Sequence, residues 1–374
     1  MAHICYLTGL YGRYDSLIFV RQGISMAKAG HKVSIVVCDD KPDEKKEGID
    51  IYSTGFVAKT RMERFKNNKK TLIPIVDRLD ADIYQISDPE LIGMVRHFKK
   101  KGKVVVFNLR EYYPDMMMRK TYIPKLFRKA ASSYFRYLMR KNLPQYDAVF
   151  TVTSWVVDTL KEQFGLRNVY LLTNFPVVDK SFCLTKEEYL ERTNTILYEG
   201  TIYIESRQEI FFDALEKIPN VNYLLAGRID EGYSGIKNHP YWNKVCFIDG
   251  FKSEELKKFF SQSTISNTLR DFGHYDGSLG ILKIFESMEA ALPVILSDVP
   301  LYRAMVEKYH CGVLANPNDM GSVEKAIRFL VENKEEAYEM GQNGRKAVLE
   351  EFNWDEQFKI YENVLLNRLN KGAK

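Results

Sequence analysis

A lysine and a glutamate three residues apart, Lys283 and Glu286, stand in the stretch Leu279-Gly-Ile-Leu-Lys-Ile-Phe-Glu-Ser-Met-Glu-Ala-Ala-Leu-Pro-Val-Ile-Leu-Ser-Asp298. That spacing puts both side chains on one face of a helix. Phe285 to Ala291 reads as a helix ended by Pro293, and Val294 to Leu296 as a buried strand. Lys283 then falls at the helix N-terminus, where backbone N–H groups and the dipole favour an anion such as a diphosphate. Glu286, one turn deeper, is placed to accept from vicinal hydroxyls such as those of a ribose, as an acidic residue does in dinucleotide folds. The pair points to a nucleotide-sugar pocket; stripped of its surroundings it reads as a solvated helix face.

The elements that must position this pair alternate between strand and helix. Ile4 to Leu10 reads as a buried strand, Gly9-Leu-Tyr-Gly12 as a turn, Leu17 to Lys28 as a helix closed by Gly30, and Val33 to Cys38 as a second strand. Further strands are expected at Ile83 to Ile86, Val104 to Leu109, Ala148 to Val152 and Val169 to Leu172. Asn174-Phe-Pro176 and the polar Thr185 to Asn194 read as linker. A second series follows at Thr195 to Tyr198, Asn222 to Ala226, Val245 to Ile248, Ile265 to Thr268, Pro293 to Leu296 and Gly312 to Leu314. The fold class is therefore α/β, two doubly wound parallel sheets, with ligand expected at the carboxyl ends of the strands in a cleft between them. The expected domains are 1-180 and 181-351, with 352-374 a terminal helix whose Trp354, Phe358, Tyr361 and Leu365 form one stripe.

A chain of 374 residues exceeds what one core usually organises, which agrees with two domains. Residues 1 to 180 carry 31 Lys+Arg against 19 Asp+Glu, a net +12, whereas the remainder carries 23 against 30, a net −7. A basic first half suits an anionic partner. The five cysteines are scattered and include no Cys-x-x-Cys pair, which fits reduced thiols. No apolar run reaches the roughly 18 residues of a membrane span, and the opening residues lack signal-peptide features, so a cytoplasmic address is expected. Gly-x-Ser-x-Gly, Walker and Gly-x-Gly-x-x-Gly motifs are absent, which argues against hydrolase, phosphate-transfer and nicotinamide chemistry.

Lys-x-x-Glu followed by a Pro-Val-Ile strand resembles the C-terminal signature of family-four glycosyltransferases. Asp82-Ile-Tyr-Gln-Ile-Ser-Asp-Pro-Glu-Leu91, Val104-Val-Val-Phe-Asn-Leu-Arg-Glu-Tyr-Tyr-Pro114, Ala148-Val-Phe-Thr-Val-Thr153, Thr195-Ile-Leu-Tyr-Glu-Gly200 and Asn222-Tyr-Leu-Leu-Ala-Gly227 resemble further blocks of that family, in its order. The resemblance implies the GT-B architecture, with the last helix crossing back to the first domain. It implies transfer of a sugar from a nucleoside diphosphate sugar, UDP being the commonest carrier in the class, with retained anomeric configuration. No cofactor or metal is implied, the nucleotide-sugar being a co-substrate. Gly200, Thr201, Arg207 and Lys283 would hold the donor diphosphate; Gly227, Phe251, Glu255 and Glu286 the nucleoside; and Ser278, Leu279 and Gly280 the donor sugar. Gly9, Gly12, Arg13 and Asp88 would face the acceptor.

The chain departs from the family pattern in several places. Arg110 stands where the resembling branch has the histidine assigned to the transferred sugar, before Glu111, and Ser87 replaces a second histidine. The catalytic candidates are accordingly Glu111, Arg110 and His274, the last lying in the loop 271–277 near the expected sugar. Ser278 replaces a glutamate and Thr201 an arginine. Ala291 replaces a glycine, which reads as a local change of loop shape, since positive φ costs a non-glycine residue about 1 kcal/mol.

Between Met116 and Tyr146 there is no acidic residue, while eight Lys and Arg alternate with aromatic and aliphatic side chains. The segment suits an anionic membrane surface and hence a lipid-linked or glycan acceptor; alternatively Leu126, Ala130, Tyr134 and Leu138 are the buried stripe of an ordinary helix. No nucleic-acid motif accompanies it. Two other functions stay open: a non-catalytic GT-B subunit supporting a partner transferase, and a nucleotide-sugar epimerase using Glu111 and Asp276.

Overall fold

The computed structural model describes residues 1–120, 123–273 and 277–372, which form two compact α/β units. The first comprises Met1–Asn174 together with the chain from Asp355 onward; the second is Phe175–Trp354.

The first unit is built on eight strands: His3–Thr8 (β1), Lys32–Val37 (β2), Glu44–Lys46 (β3), Ile49–Ser53 (β4), Ile83–Ile86 (β5), Val104–Leu109 (β6), Ala148–Thr151 (β7) and Val169–Leu171 (β8). They lie in the order β3-β4-β2-β1-β5-β6-β7-β8. All pairs are parallel except β3 with β4. Every residue of β5, β6 and β7 is buried, because helices cover both faces of a parallel sheet and leave no solvent side. The β3–β4 hairpin has no counterpart in the sequence reading. Its two-residue loop, Glu47-Gly48, takes φ +51° and +77°, the primed turn that normally announces itself as Asn-Gly or Asp-Gly.

The terminal helix Trp354–Gly372 packs on this unit. Tyr361 is fully buried; its hydroxyl donates to Gln85 Oε1 on β5 at 2.6 Å and lies 3.2 Å from the Tyr6 hydroxyl on β1. His31 accepts from the Ala2 N–H through Nδ1 and meets Glu362 through Nε2, a structural role.

The second unit has six strands, Thr195–Glu199 (β9), Asn222–Ala226 (β10), Val245–Ile248 (β11), Ile265–Asn267 (β12), Val294–Ser297 (β13) and Gly312–Ala315 (β14). All are parallel, in the order β11-β10-β9-β12-β13-β14, so β9 is central and its carboxyl end opens beside β10 and β12. Phe175 stacks edge-on with Phe285 and Phe352, which carries the unit boundary back to Asn174. Residues 185–194 are not all linker: Lys186–Glu191 is a helix with a reciprocal capping box between Thr185 and Glu188.

The helix carrying Lys283 and Glu286 runs Leu282–Glu289, starting three residues before the expected Phe285. Ala291 keeps a positive φ of +55° rather than reshaping the loop. The N–H groups of Ala291 and Leu292 close the helix on the carbonyls of Met288 and Ser287, and this capping, with complete burial of the methyl group, offsets the left-handed strain. In the helix Lys125–Asn142 the buried positions are Phe135, Met139 and Asn142. Leu126 and Tyr134 are exposed, at 85% and 54%, so the alternative stripe is not the core-facing one.

Candidate functional site

The turn after β9 is shaped by two glycines. Gly200 takes φ +103°, and Gly227, at the end of β10, takes φ +146°. A Cβ on Gly227 would stand 1.8 Å from the Gly200 carbonyl oxygen, so only glycine lets these strand ends approach. A Cβ on Gly200 would stand 3.3 Å from Lys283 Nζ, which places the ammonium against the bare backbone of the turn. Lys283 lies in the first turn of its helix, whose cap residue Ile281 supplies no side-chain acceptor. Its Nζ sits 3.8 Å above the Tyr198 ring centroid, while the Tyr198 hydroxyl donates to the Thr201 carbonyl at 3.0 Å. Burial pulls the Lys283 pKa down, but the neighbouring Tyr198 and Glu199 outweigh it and the net shift is upward, so the residue is a cation at neutral pH.

Two residues here escaped the sequence reading. Glu199, the last residue of β9, is buried, and its Oε1 has no hydrogen-bond partner. Burial raises its pKa, with Lys283 pulling the other way. Arg270 follows β12 and lines the same recess as Tyr198, Tyr203, Ile281 and Lys283, its guanidinium 5.0 Å from the Tyr203 ring and 5.8 Å from the Phe272 ring. The visible signal was a charged residue just past a strand's carboxyl end.

Arg207 stands otherwise than as an available cation. It adopts φ +48°, and its Nη2 donates to Asp271 Oδ2 at 2.6 Å with Glu209 at 3.7 Å from Nη1. The Asp271 hydrogen bond raises its pKa further, so a phosphate there must compete with two carboxylates. Phe251 packs edge-on against Phe259, and the exposed Glu255 accepts the Lys252 N–H at 2.7 Å. Glu286 is half-buried, one turn beyond Lys283, and engaged by a neighbour. Ser278 Oγ accepts the Gly280 N–H at 3.0 Å, and the Ser278 carbonyl accepts the Tyr302 hydroxyl at 2.9 Å; Leu279 packs among apolar neighbours. His274 and Asp276 lie outside the described residues.

In the first unit the structure brings Gly9 and Asp88 together at the carboxyl ends of β1 and β5. Asp88 is fully buried and accepts the N–H groups of Gly9 and Leu10, the latter at 2.9 Å, and the Thr8 hydroxyl at 3.1 Å. Burial, helped by the Glu90 charge, pushes its pKa up to about 7 despite those donors. A Cβ on Gly9 would meet Asn68 Nδ2 at 1.9 Å, so the buried Asn68 side chain would have to move to admit one. Arg110 donates to both Asp15 oxygens at 3.0 Å and lies 3.9 Å from the Tyr11 ring, bracing the same loop, while Glu111 is exposed. Arg13 is buried in an ion-paired clamp with Asp39 and Glu44, and Gly12, just before it, is exposed. The amide of Asn68, Asn108 Nδ2 and both Glu90 oxygens are buried without hydrogen-bond partners, although the Glu90 carboxylate faces Arg64 in an ion pair.

Two α/β units of parallel strands, the second opening a double-glycine turn toward a lysine at a helix start, define the GT-B class of glycosyltransferases. The model of glycosyl transferases group 1 matches residues 184–347, and that of glycosyltransferase family 4 matches residues 21–175. The chain belongs to the GT-B glycosyltransferases of the family-four type. The O-antigen chain mannosyltransferase RfbU of Salmonella typhimurium is 24% identical over 232 residues, 60% of this chain and 59% of that relative's length. Sucrose-phosphate synthase from Thermosynechococcus elongatus superposes with a TM-score of 0.73 at 16% identity over 100% of both chains. HepE from Anabaena, solved with UDP and glucose, gives 0.68 at 14% identity, covering 98% of this chain and 100% of that one. Among the described residues, no helix is long and apolar enough to cross a membrane.

Proposed function

We propose that this protein transfers a sugar, with retention, from a UDP-sugar to a glycan or lipid-linked acceptor in the synthesis of a cell-surface polysaccharide or glycoconjugate. The observation that carries this reading is Lys283 Nζ poised against the Gly200 turn, whose close contact with Gly227 only glycine permits. A diphosphate seated there would meet a charge-assisted donor from Lys283, first-turn N–H groups and the Arg270 guanidinium, which together stabilise the charge that builds on departing UDP. Glu286, one turn deeper, is the candidate acceptor for the ribose hydroxyls. Retention needs no protein base if the departing phosphate takes the acceptor proton, consistent with the absence of a histidine at Arg110. No metal or cofactor is required on this reading; Lys283 and Arg270 take the electrostatic part.

The likeness to HepE with UDP favours a uracil base, and that to RfbU favours a glycan acceptor. The first unit is assigned to the acceptor, with its carboxyl-end loops at Gly9 and Arg110 as the binding elements. A panel of UDP-sugars offered with and without EDTA, with the product's anomeric configuration read by NMR, tests the reading. Transfer unaffected by EDTA and giving the donor's own anomer is expected. Inverted product, or transfer abolished by EDTA, contradicts it.

A further inference from the structure

The first unit holds a second polar recess, of about 460 Å³, that plays no part in the site above. Its walls come from the helical layer over the sheet: Lys69 from the helix Arg61–Leu79, Arg96 and His97 from Val95–Lys99, Lys100 from that helix's end, and Lys141 from Lys125–Asn142. None of the loop residues Gly9, Asp88 or Arg110 lines it.

Four permanent cations thus converge with a histidine on one concavity. Lys69, Arg96 and Lys100 have no carboxylate partner among the described residues, and Lys141 donates only to the Tyr137 hydroxyl, at 3.0 Å. The acid that reaches the recess residue His97, Asp77, is already taken, at 2.7 Å by His97 and 2.7 Å by Lys101. Elsewhere in this unit basic side chains do find acids, as Arg13, Arg110 and Lys99 do. Like charges left unpaired around a shared recess repel unless an anion sits between them. The volume falls in the range of small-ligand pockets.

The helix that contributes Lys141 indicates where the anion comes from. At about 100° per residue, Leu126, Phe127, Tyr134, Tyr137 and Lys141 share one arc of their helix. The four apolar and aromatic side chains are 85%, 60%, 54% and 55% exposed. An apolar, aromatic face beside a basic recess suits a lipid surface whose phosphate enters the recess.

We propose that the recess lined by Lys69, Arg96, His97, Lys100 and Lys141 binds a phosphate group, the headgroup of an anionic lipid being the source favoured by the exposed face beside it. This holds whether or not the donor-site reading does. The test uses the full chain, Arg96→Glu/Lys100→Glu in the recess, and Lys125→Glu/Lys129→Glu on the exposed helix outside it, which makes the same change in net charge. Co-sedimentation with phosphatidylcholine vesicles with and without phosphatidic acid tests the lipid source, calorimetry with inorganic pyrophosphate the soluble one, and thermal melting controls for folding. Wild-type binding to phosphatidic acid vesicles, weakened about tenfold or more by the recess pair and markedly less by the control pair, is expected. Pyrophosphate binding with the same pattern, without vesicle binding, would keep the site and change the source. No binding of either probe, or equal loss in both pairs, would overturn the proposal.

Discussion

Both units place a glycine turn at the carboxyl end of a central strand, and they fill it with opposite charge. After β1, the N–H groups of Gly9 and Leu10 are occupied by the protein's own acid, the buried Asp88 carboxyl, which is an anion above about pH 7. After β9, the Gly200 turn meets a cation, Lys283, with Arg270 in the same recess. The first turn is closed from within; the second is built to receive an anion from outside. Topology alone therefore does not make a phosphate site at such a turn. The charge opposite the glycine decides it.

The largest effect expected from this contrast is on stability. Asp88 binds its proton more tightly folded, at about 7, than unfolded, near 3.9. Between these values the native state holds more protons, so stability falls as pH rises from about 4 to about 7, by up to roughly 4 kcal/mol. Asp88→Asn should flatten that segment of a denaturant-midpoint profile; an unchanged profile would show that the carboxylate is ionised throughout. Next comes Lys283→Ala, expected to weaken UDP binding about 100-fold, or roughly 2.7 kcal/mol, with melting unchanged. Arg270→Ala should cost about tenfold, as the loss of a more distant cation. Smallest is Arg207→Ala, with an expected change of about threefold or less, because Asp271 and Glu209 already hold that guanidinium. A larger loss at Arg207 than at Lys283 would reverse the ranking of the two cations and show that Asp271 releases its arginine to the ligand.

Much of this arrangement was legible in the chain. Long buried strands such as Val104–Leu109 announced themselves as apolar runs, and the Lys283–Glu286 spacing survived the shift in helix start because both residues stayed on one helix. The hairpin at Glu47-Gly48 was not legible because its outer strand, Glu44–Lys46, is three charged residues at the sheet edge, even though Ile49 and Ile51 of the inner strand alternate into the core. Arg207 read as a free cation because sequence spacing does not reveal that Asp271, 64 residues on, would reach it. Glu199 and Arg270 were missed for the converse reason: each is one charged residue at a strand end, and only the fold turns them toward Lys283.

The central claim is that the Gly200 turn and Lys283 form the diphosphate site of a UDP-sugar. Calorimetric titration of UDP into the wild-type protein, Lys283→Ala and Glu286→Ala, without added metal, tests it most directly. Micromolar binding to the wild type that is lost in both well-folded variants is the predicted result. Undiminished UDP binding in Lys283→Ala, or no binding to the folded wild type, would contradict the account.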